Sequence, residues 1–414
     1  LLRGAALVAA VALAVPVRGE VPVYAEPVLK ARANFSGAFN LPNSVFFTNS
    51  APALSAAGVA IKLEVLGPTT QGVFLHDGIS GAVVFEAESD AFISDVSINA
   101  DGVVVFPQFF SSMDGIWFYD HDGASSGRLT NLPLGASSWS RPQVDDQGRV
   151  GYRAGFVGGQ AFASWDAGQV AIHATEVGID VQSPFSFLFT PSTNGQRQIA
   201  GKVRRGGAGQ TGESQPDEIR VFESNGSSTL IAEDRDADPT SPYTRFDNSV
   251  SLTNDGWVAF TAELFSGGRG VFLSDGVETR TIAHVSGGVV TEIESFAPAA
   301  NDQGQVVFRG RDANGLRAIF VGDGSSLVRV IGEHDLVDSD LGVARIDQHD
   351  ASPVFGGSPA IAANGAIAFH GGLTPPGDNQ IEWGSGLFVV EPAPLVFADG
   401  FETGDLTAWS AVVP

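Results

Sequence analysis

Seven short clusters that end in glycine, set 44 to 61 residues apart, limit what this chain can become more than any other feature. They are Ser55 to Gly58, Asn99 to Gly102, Asp145 to Gly148, Ser192 to Gly195, Thr253 to Gly256, Asn301 to Gly304 and Ala362 to Gly365. An Asn or Asp that bonds its local backbone, followed by a glycine free to take positive φ, is turn chemistry. A unit that recurs at this period makes a propeller or a solenoid. The cleanest copy runs from Leu252 to Gly276.

Each turn glycine is followed by an alternating strand that closes on a bulky residue, as in Val258 to Phe260, Val306 to Phe308 and Ile367 to Phe369. After a variable loop comes a third apolar strand, such as Val271 to Leu273 or Ile319 to Val321, and then a second turn such as Asp275-Gly276. Four strands joined as two hairpins are the content of one propeller blade. Pro142, Pro298 and Pro359 each stand six residues before a turn glycine. Proline belongs on an edge strand, and the strand that lines a propeller channel is one. The fold expected is all-β, a β-propeller of seven four-stranded blades. The last copy stops at its third strand, and Val28 to Arg32 is the segment expected to complete that blade and close the ring.

Asn301-Asp-Gln-Gly304-Gln-Val-Val-Phe308 and Thr253-Asn-Asp-Gly256-Trp-Val-Ala-Phe260 resemble the NxxGxxxAF tandem-repeat family of exported bacterial proteins. The resemblance spans roughly Ala51 to Val390 and is clear in five copies; the first and fourth lack both the Asn and the closing Phe. It implies export and no particular activity. Asp399 to Ser410 resembles a GFExGxxxxWS-like tail, which implies surface display or sorting of residues 393–414.

At the other end, Arg3 and the apolar run from Ala5 to Val17 read as an export signal over residues 1–25, with cleavage expected near Ala25. The propeller is then residues 26–392, in a protein secreted from a bacterium or held on its surface. No later stretch reaches 18 apolar residues, so no transmembrane span is expected. The chain is expected to be a monomer.

With 23 basic against 47 acidic residues, the formal charge is −24, which repels phosphate backbones and sets nucleic acid aside as a partner. The absence of cysteine removes disulfides, thiol catalysis and zinc-thiolate centres. Gly207 to Gly212 fits GxGxxG but precedes Glu213-Ser-Gln-Pro216 and a strand rather than a helix, so it is a loop. No GxSxG elbow, P-loop or HExxH spacing occurs.

The candidates lie in what interrupts the repeat. Two connections between blades are long and acidic, Glu233 to Asp238 and Glu333 to Asp340. Asp234, Asp236 and Asp238 alternate as in a calcium loop, and Asp335, Asp338 and Asp340 offer a second set of hard ligands. Pro239 and Arg245 stand where an EF-hand needs Gly and Glu, so any calcium site here is irregular. His334 and His349 share one connection with these acids, and Trp383 lies in the loop from Gly371 to Ser385, where it can stack on a ligand or pack on a neighbouring blade. The expectation is a non-enzymatic binding or display module for a carbohydrate or protein ligand. The alternative is an extracellular carbohydrate-active hydrolase or lyase working through loop carboxylates.

Overall fold

The computed structural model describes residues 20–393, apart from 35–36, 48, 66–69, 111–113, 286–287 and 350–352. The expected signal up to residue 19 and the tail from Pro394 onward lie outside the described residues. Seven antiparallel sheets follow one another along the chain, with no helix among the described residues, and they form a seven-bladed propeller.

Blade 5, built from the cleanest copy, shows the plan. Its inner strand comes in two pieces, Tyr243–Phe246 and Ser251–Leu252, both paired with Val258–Leu264; Arg269–Ser274 and Thr279–His284 follow outward. Blades 1, 2, 6 and 7 break the inner strand in the same way. The motif aromatic then meets a partner directly across the ladder. Phe260 faces Phe272, Phe308 faces Phe320 and Phe369 faces Phe388. These rings stack at centroid distances of 5.5, 5.6 and 5.4 Å. Such buried pairs supply much of each blade's apolar core.

The turn residues do more than reverse the chain. Asn301 Oδ1 accepts from the N–H groups of Gln303 and Gln305, while its Nδ2 donates to Ala362 O of the next blade at 3.1 Å. Asn99 does the same toward Asp145 O at 3.0 Å, and Asn194 toward Thr253 O at 2.9 Å. Ser55 reaches Asn99 O, and Arg149 reaches Gly195 O. One amide therefore satisfies its own turn and the neighbouring carbonyl.

Blade 4 corrects the expected register. Its turn is Asn194 to Arg197, and Arg197 takes the left-handed position (φ 64°) that glycine holds elsewhere. Gly201 then falls where the motif aromatic should be. A β-carbon there would stand 2.6 Å from the Phe162 ring, which comes from blade 3 and fills the space.

The residue after the motif aromatic forms a second set of ties. Arg153 donates to Leu188 O at 3.0 Å, Lys202 to Phe246 O at 3.0 Å, and Arg309 to Gly357 O at 2.7 Å, each in the next blade's inner strand. His370 Nε2 lies 3.1 Å from Ser50 O of blade 1. Breaks in the inner strands, and in blade 4 a register shift between Leu188 and Pro191, free carbonyls, and these buried donors satisfy them.

The ring closes as expected. Val28–Ala33 pairs antiparallel with Gly384–Val390 and supplies the outer strand of blade 7. Residues 20–25 also pack: Tyr24 Oη donates to Gly365 O at 3.1 Å, Ala25 N to Glu391 O at 2.9 Å, and Val21 is buried. The axial channel is narrow, a cavity of ≈ 180 Å³ lined by Pro52, Pro142, Pro298 and Pro359 among small residues.

Candidate functional site

Blade 7 departs most from the plan, because the long connection from Glu333 adds a strand, Leu336–Ser339, which forms a hairpin with Gly342–Ile346, the first piece of the blade's own inner strand. One face carries Val337, Ala344 and Ile346, all buried in a cluster with Phe355, Phe369, Leu373 and Phe388. The other carries Leu336, Asp338, Val343 and Arg345, following the period of two. Two ion pairs fix its ends. Asp340 takes Arg32 through two 2.7 Å bonds, and Asp335 takes Arg329 at 2.7 and 2.9 Å and Gly332 N at 2.8 Å. Arg32 is fully buried and also donates to Trp383 O at 2.9 Å, so it locks the closing strand to both the hairpin tip and the loop.

His334, His349 and Trp383 all belong to this corner. His334 is exposed, in the left-handed region (φ 74°), with Nε2 3.9 Å from Asp347 Oδ1. Glu333, His334 and Asp347 place one ligand atom each within 4.8 Å of one another. They are the one such group of three among the described residues. Asp347 also holds Arg345 and accepts from Gln348 N. His349 Nδ1 stands 3.0 Å from Glu382 Oε2. Trp383 is half-buried against the blade 7 core, its N–H bonded to Leu373 O. It packs more than it projects.

The structure does not gather the two aspartate sets into metal sites. Asp234 is buried; its Oδ1 accepts from Asp236 N and Ala237 N, and its Oδ2 from Asp217 N. Burial raises its pKa, and these bonds oppose the rise. Asp238 accepts from Thr240, and Asp236 points to solvent. Asp234 is thus a turn cap, because its lone pairs meet backbone donors rather than each other. Asp335 and Asp340 are spent on arginines, which leaves Asp338 exposed on the hairpin's outward face.

Sequence reasoning did not single out Asp347 or Glu382, and it named Glu333 only as the start of an acidic connection and Arg32 only as the end of the closing strand. Asp347 was findable, since it lies two residues before His349 in the same connection. Arg32 was not, because its partner is 308 residues away. Also unforeseen is a groove of ≈ 510 Å³ between blades 3 and 4, lined by Ile172, His173, Phe185, Arg205, Glu218 and Arg220. His173 Nε2 is 2.8 Å from Ser164 Oγ and its Nδ1 3.4 Å from Phe222 O. Burial holds it below the usual histidine range, so it serves the seam as a neutral ring.

Against this geometry stand the known relatives. A family of unknown function, DUF7453, matches residues 201–397, from the second strand of blade 4 through blade 7. No curated protein matches the sequence. Oligogalacturonate lyase in complex with manganese superposes over 91% of this chain and 99% of its own, at a TM-score of 0.51 and 9% identity. The β-propeller domain of the trilobed protease from Pyrococcus furiosus covers 80% of this chain and 92% of its own, at 0.50 and 12%. That domain is described as having an open velcro topology. TolB from Acinetobacter baumannii covers 64% of this chain at a TM-score of 0.41 and 14% identity, and the chain spans 60% of TolB's length. For the lyase and the protease domain the likeness is one of fold alone, and the fold it supports is the β-propeller.

Proposed function

We propose that this protein is an exported binding module, without catalytic activity, whose contact surface is the blade 7 corner. The observation that carries this reading is the hairpin that the added strand Leu336–Ser339 makes with the blade's inner strand, a rigid element that buries one face and presents the other to solvent. Its ion pairs hold it in place before any ligand arrives, which lowers the ordering cost of binding. The acidic connections give little support to carboxylate catalysis, since Asp234, Asp335 and Asp340 are each committed to structural partners.

Export rests on the apolar segment from Ala5 to Val17 and the resemblance to exported repeat proteins. The packing of Val21, Tyr24 and Ala25 favours cleavage before Glu20 rather than near Ala25. Mass spectrometry of the mature N-terminus tests this: a start at Glu20 supports it, and a start at Glu26 overturns it.

Incubating the protein with immobilised polysaccharides and unfolded polypeptides tests the function. Retention without released product supports the module, and steady release of soluble product contradicts it. A second reading has one observation in its favour. Glu333, His334 and Asp347 suit a divalent ion, and the superposable oligogalacturonate lyase was solved with manganese. Release of unsaturated products from polygalacturonate with manganese, abolished by chelation, would favour that lyase reading over the module.

A further inference from the structure

The hairpin ends in a strand that has only one neighbour. Leu336–Ser339 pairs with Gly342–Ile346 and with nothing on its other side among the described residues. Ile346 N donates to Asp335 O, so with the period of an antiparallel ladder Val337 and Ser339 bond inward. The N–H and C=O groups of Leu336 and Asp338 therefore point along the free edge. An exposed edge of this kind is a template for another strand.

Three features separate it from an ordinary edge. First, it is held still, by the buried Val337, Ala344 and Ile346 below and by Arg32 and Arg329 at its ends. Second, its surroundings are apolar. Leu336, Leu341 and Val343 are each about half exposed, at 54%, 47% and 48%. Third, its charge has one sign. Arg345, which shares the outward face, is paired with Asp347, whereas Asp338 is exposed on a chain of charge −24.

The geometry points to strand addition: the Leu336–Ser339 edge binds an extended segment of another polypeptide, one that carries an apolar side chain and a lysine or arginine two residues apart, on one face. Main-chain bonds to Leu336 and Asp338 supply the pairing; on the outward face these two share, Leu336 receives the apolar side chain and Asp338 selects the basic one two residues along. A second copy of this chain is the poorer occupant, because it brings another −24 to the same edge. The inference rests on the binding-module reading and names its partner class.

The test uses the whole protein and a fluorescein-labelled, end-capped heptapeptide, Thr-Val-Thr-Lys-Thr-Val-Thr, which sets valine and lysine on one face. Fluorescence anisotropy should rise on titration, and the signal should weaken as salt is added. The same peptide with N-methyl valines, which cannot complete a ladder, should bind at least tenfold more weakly. Asp338→Pro removes an outward N–H while leaving the inward bonds of Val337 and Ser339, and should lose at least tenfold. Asp338→Lys, which keeps the edge, should lose affinity for the basic peptide and gain it for a glutamate counterpart. No binding by the wild type, equal binding of the N-methylated peptide, or no loss in either variant overturns the proposal. Dimerisation of the peptide-free protein through this edge also overturns it. Product release from polysaccharide would sink the module reading but leave the peptide titration readable, so the two failures are distinct.

Discussion

The two faces of the disc are built by opposite rules. On the face of the glycine turns, one device recurs: a side chain such as Asn99, Asn194 or Asn301 closes its own turn and bonds the next blade. On the opposite face, where blades are joined, one turn serves two connections, with Ser183 and Ser241 each donating back to the preceding strand and accepting from the next, while the other connections differ. Asp234 caps a turn, Asp335 and Asp340 hold arginines, and the connection from Glu333 grows into a hairpin. Repetition thus marks residues that hold the ring. Departure marks where the molecule is free to meet something else.

Opening the ring should have the largest effect. Leu29 lies opposite Phe388 in the strand that closes blade 7. Proline there interrupts the ladder. Leu29→Pro should replace one sharp melting transition with a broad one at much lower temperature; an unchanged melt would mean that the N-terminal strand does not close the ring. Next comes the substitute core of blade 4. Phe162→Ala empties the space over Gly201 and should cost about 3–5 kcal/mol in denaturant unfolding. A loss under about 1 kcal/mol would leave the missing aromatic of that copy unexplained.

The seam between blades 7 and 1 should respond to pH. Burial is the main cause that lowers His370 from 6.5 to about 4, with Arg309 adding to it. As pH falls below 6.5 the unfolded chain takes up a proton that the folded chain refuses. Stability is therefore full above 6.5 and declines until pH passes about 4, by on the order of 3 kcal/mol. His370→Gln, which can still donate to Ser50 O, should flatten this part of a pH-melting series. A slope that persists in the variant would assign it elsewhere.

The smallest effect contrasts the faces directly. Asn301→Ala leaves buried groups unsatisfied and should cost about 1–3 kcal/mol. Asp236→Ala, at a solvent-facing carboxylate, should change stability by less than about 0.5 kcal/mol, and millimolar calcium should move the melting temperature of neither. A calcium shift abolished by Asp236→Ala would restore the cation loop.

The sequence was legible wherever a residue's partner is local or repeated. The turn glycines outside blade 4, the prolines of the channel and the closing strand could be read, because each obeys a rule of spacing or backbone geometry; in blade 4 Gly195 misled, since Arg197 holds the left-handed position. The ties through Arg153, Lys202, Arg309 and His370 were also written there, directly after the bulky residue in blades 3, 6 and 7. They went unread because three kinds of side chain, arginine, lysine and histidine, serve one purpose, and Lys202 follows Gly201 rather than a bulky residue. The blade 7 corner was legible only in part. Composition drew attention to His334, His349 and the acids, but which acids are committed depends on Arg32 and Arg329, and no local pattern links Arg32 to Asp340. Charge alone could not tell a turn cap such as Asp234 from an open carboxylate such as Asp338.

Hydrogen exchange across the whole chain, resolved to single amides, tests the contrast most directly. The account predicts slow exchange for Val28–Ala33 and for the turn amides capped by Asn99, Asn194 and Asn301, together with fast exchange at Leu336 and Asp338. Rapid exchange throughout Val28–Ala33, or protection of Leu336 and Asp338 in the free protein, would contradict it.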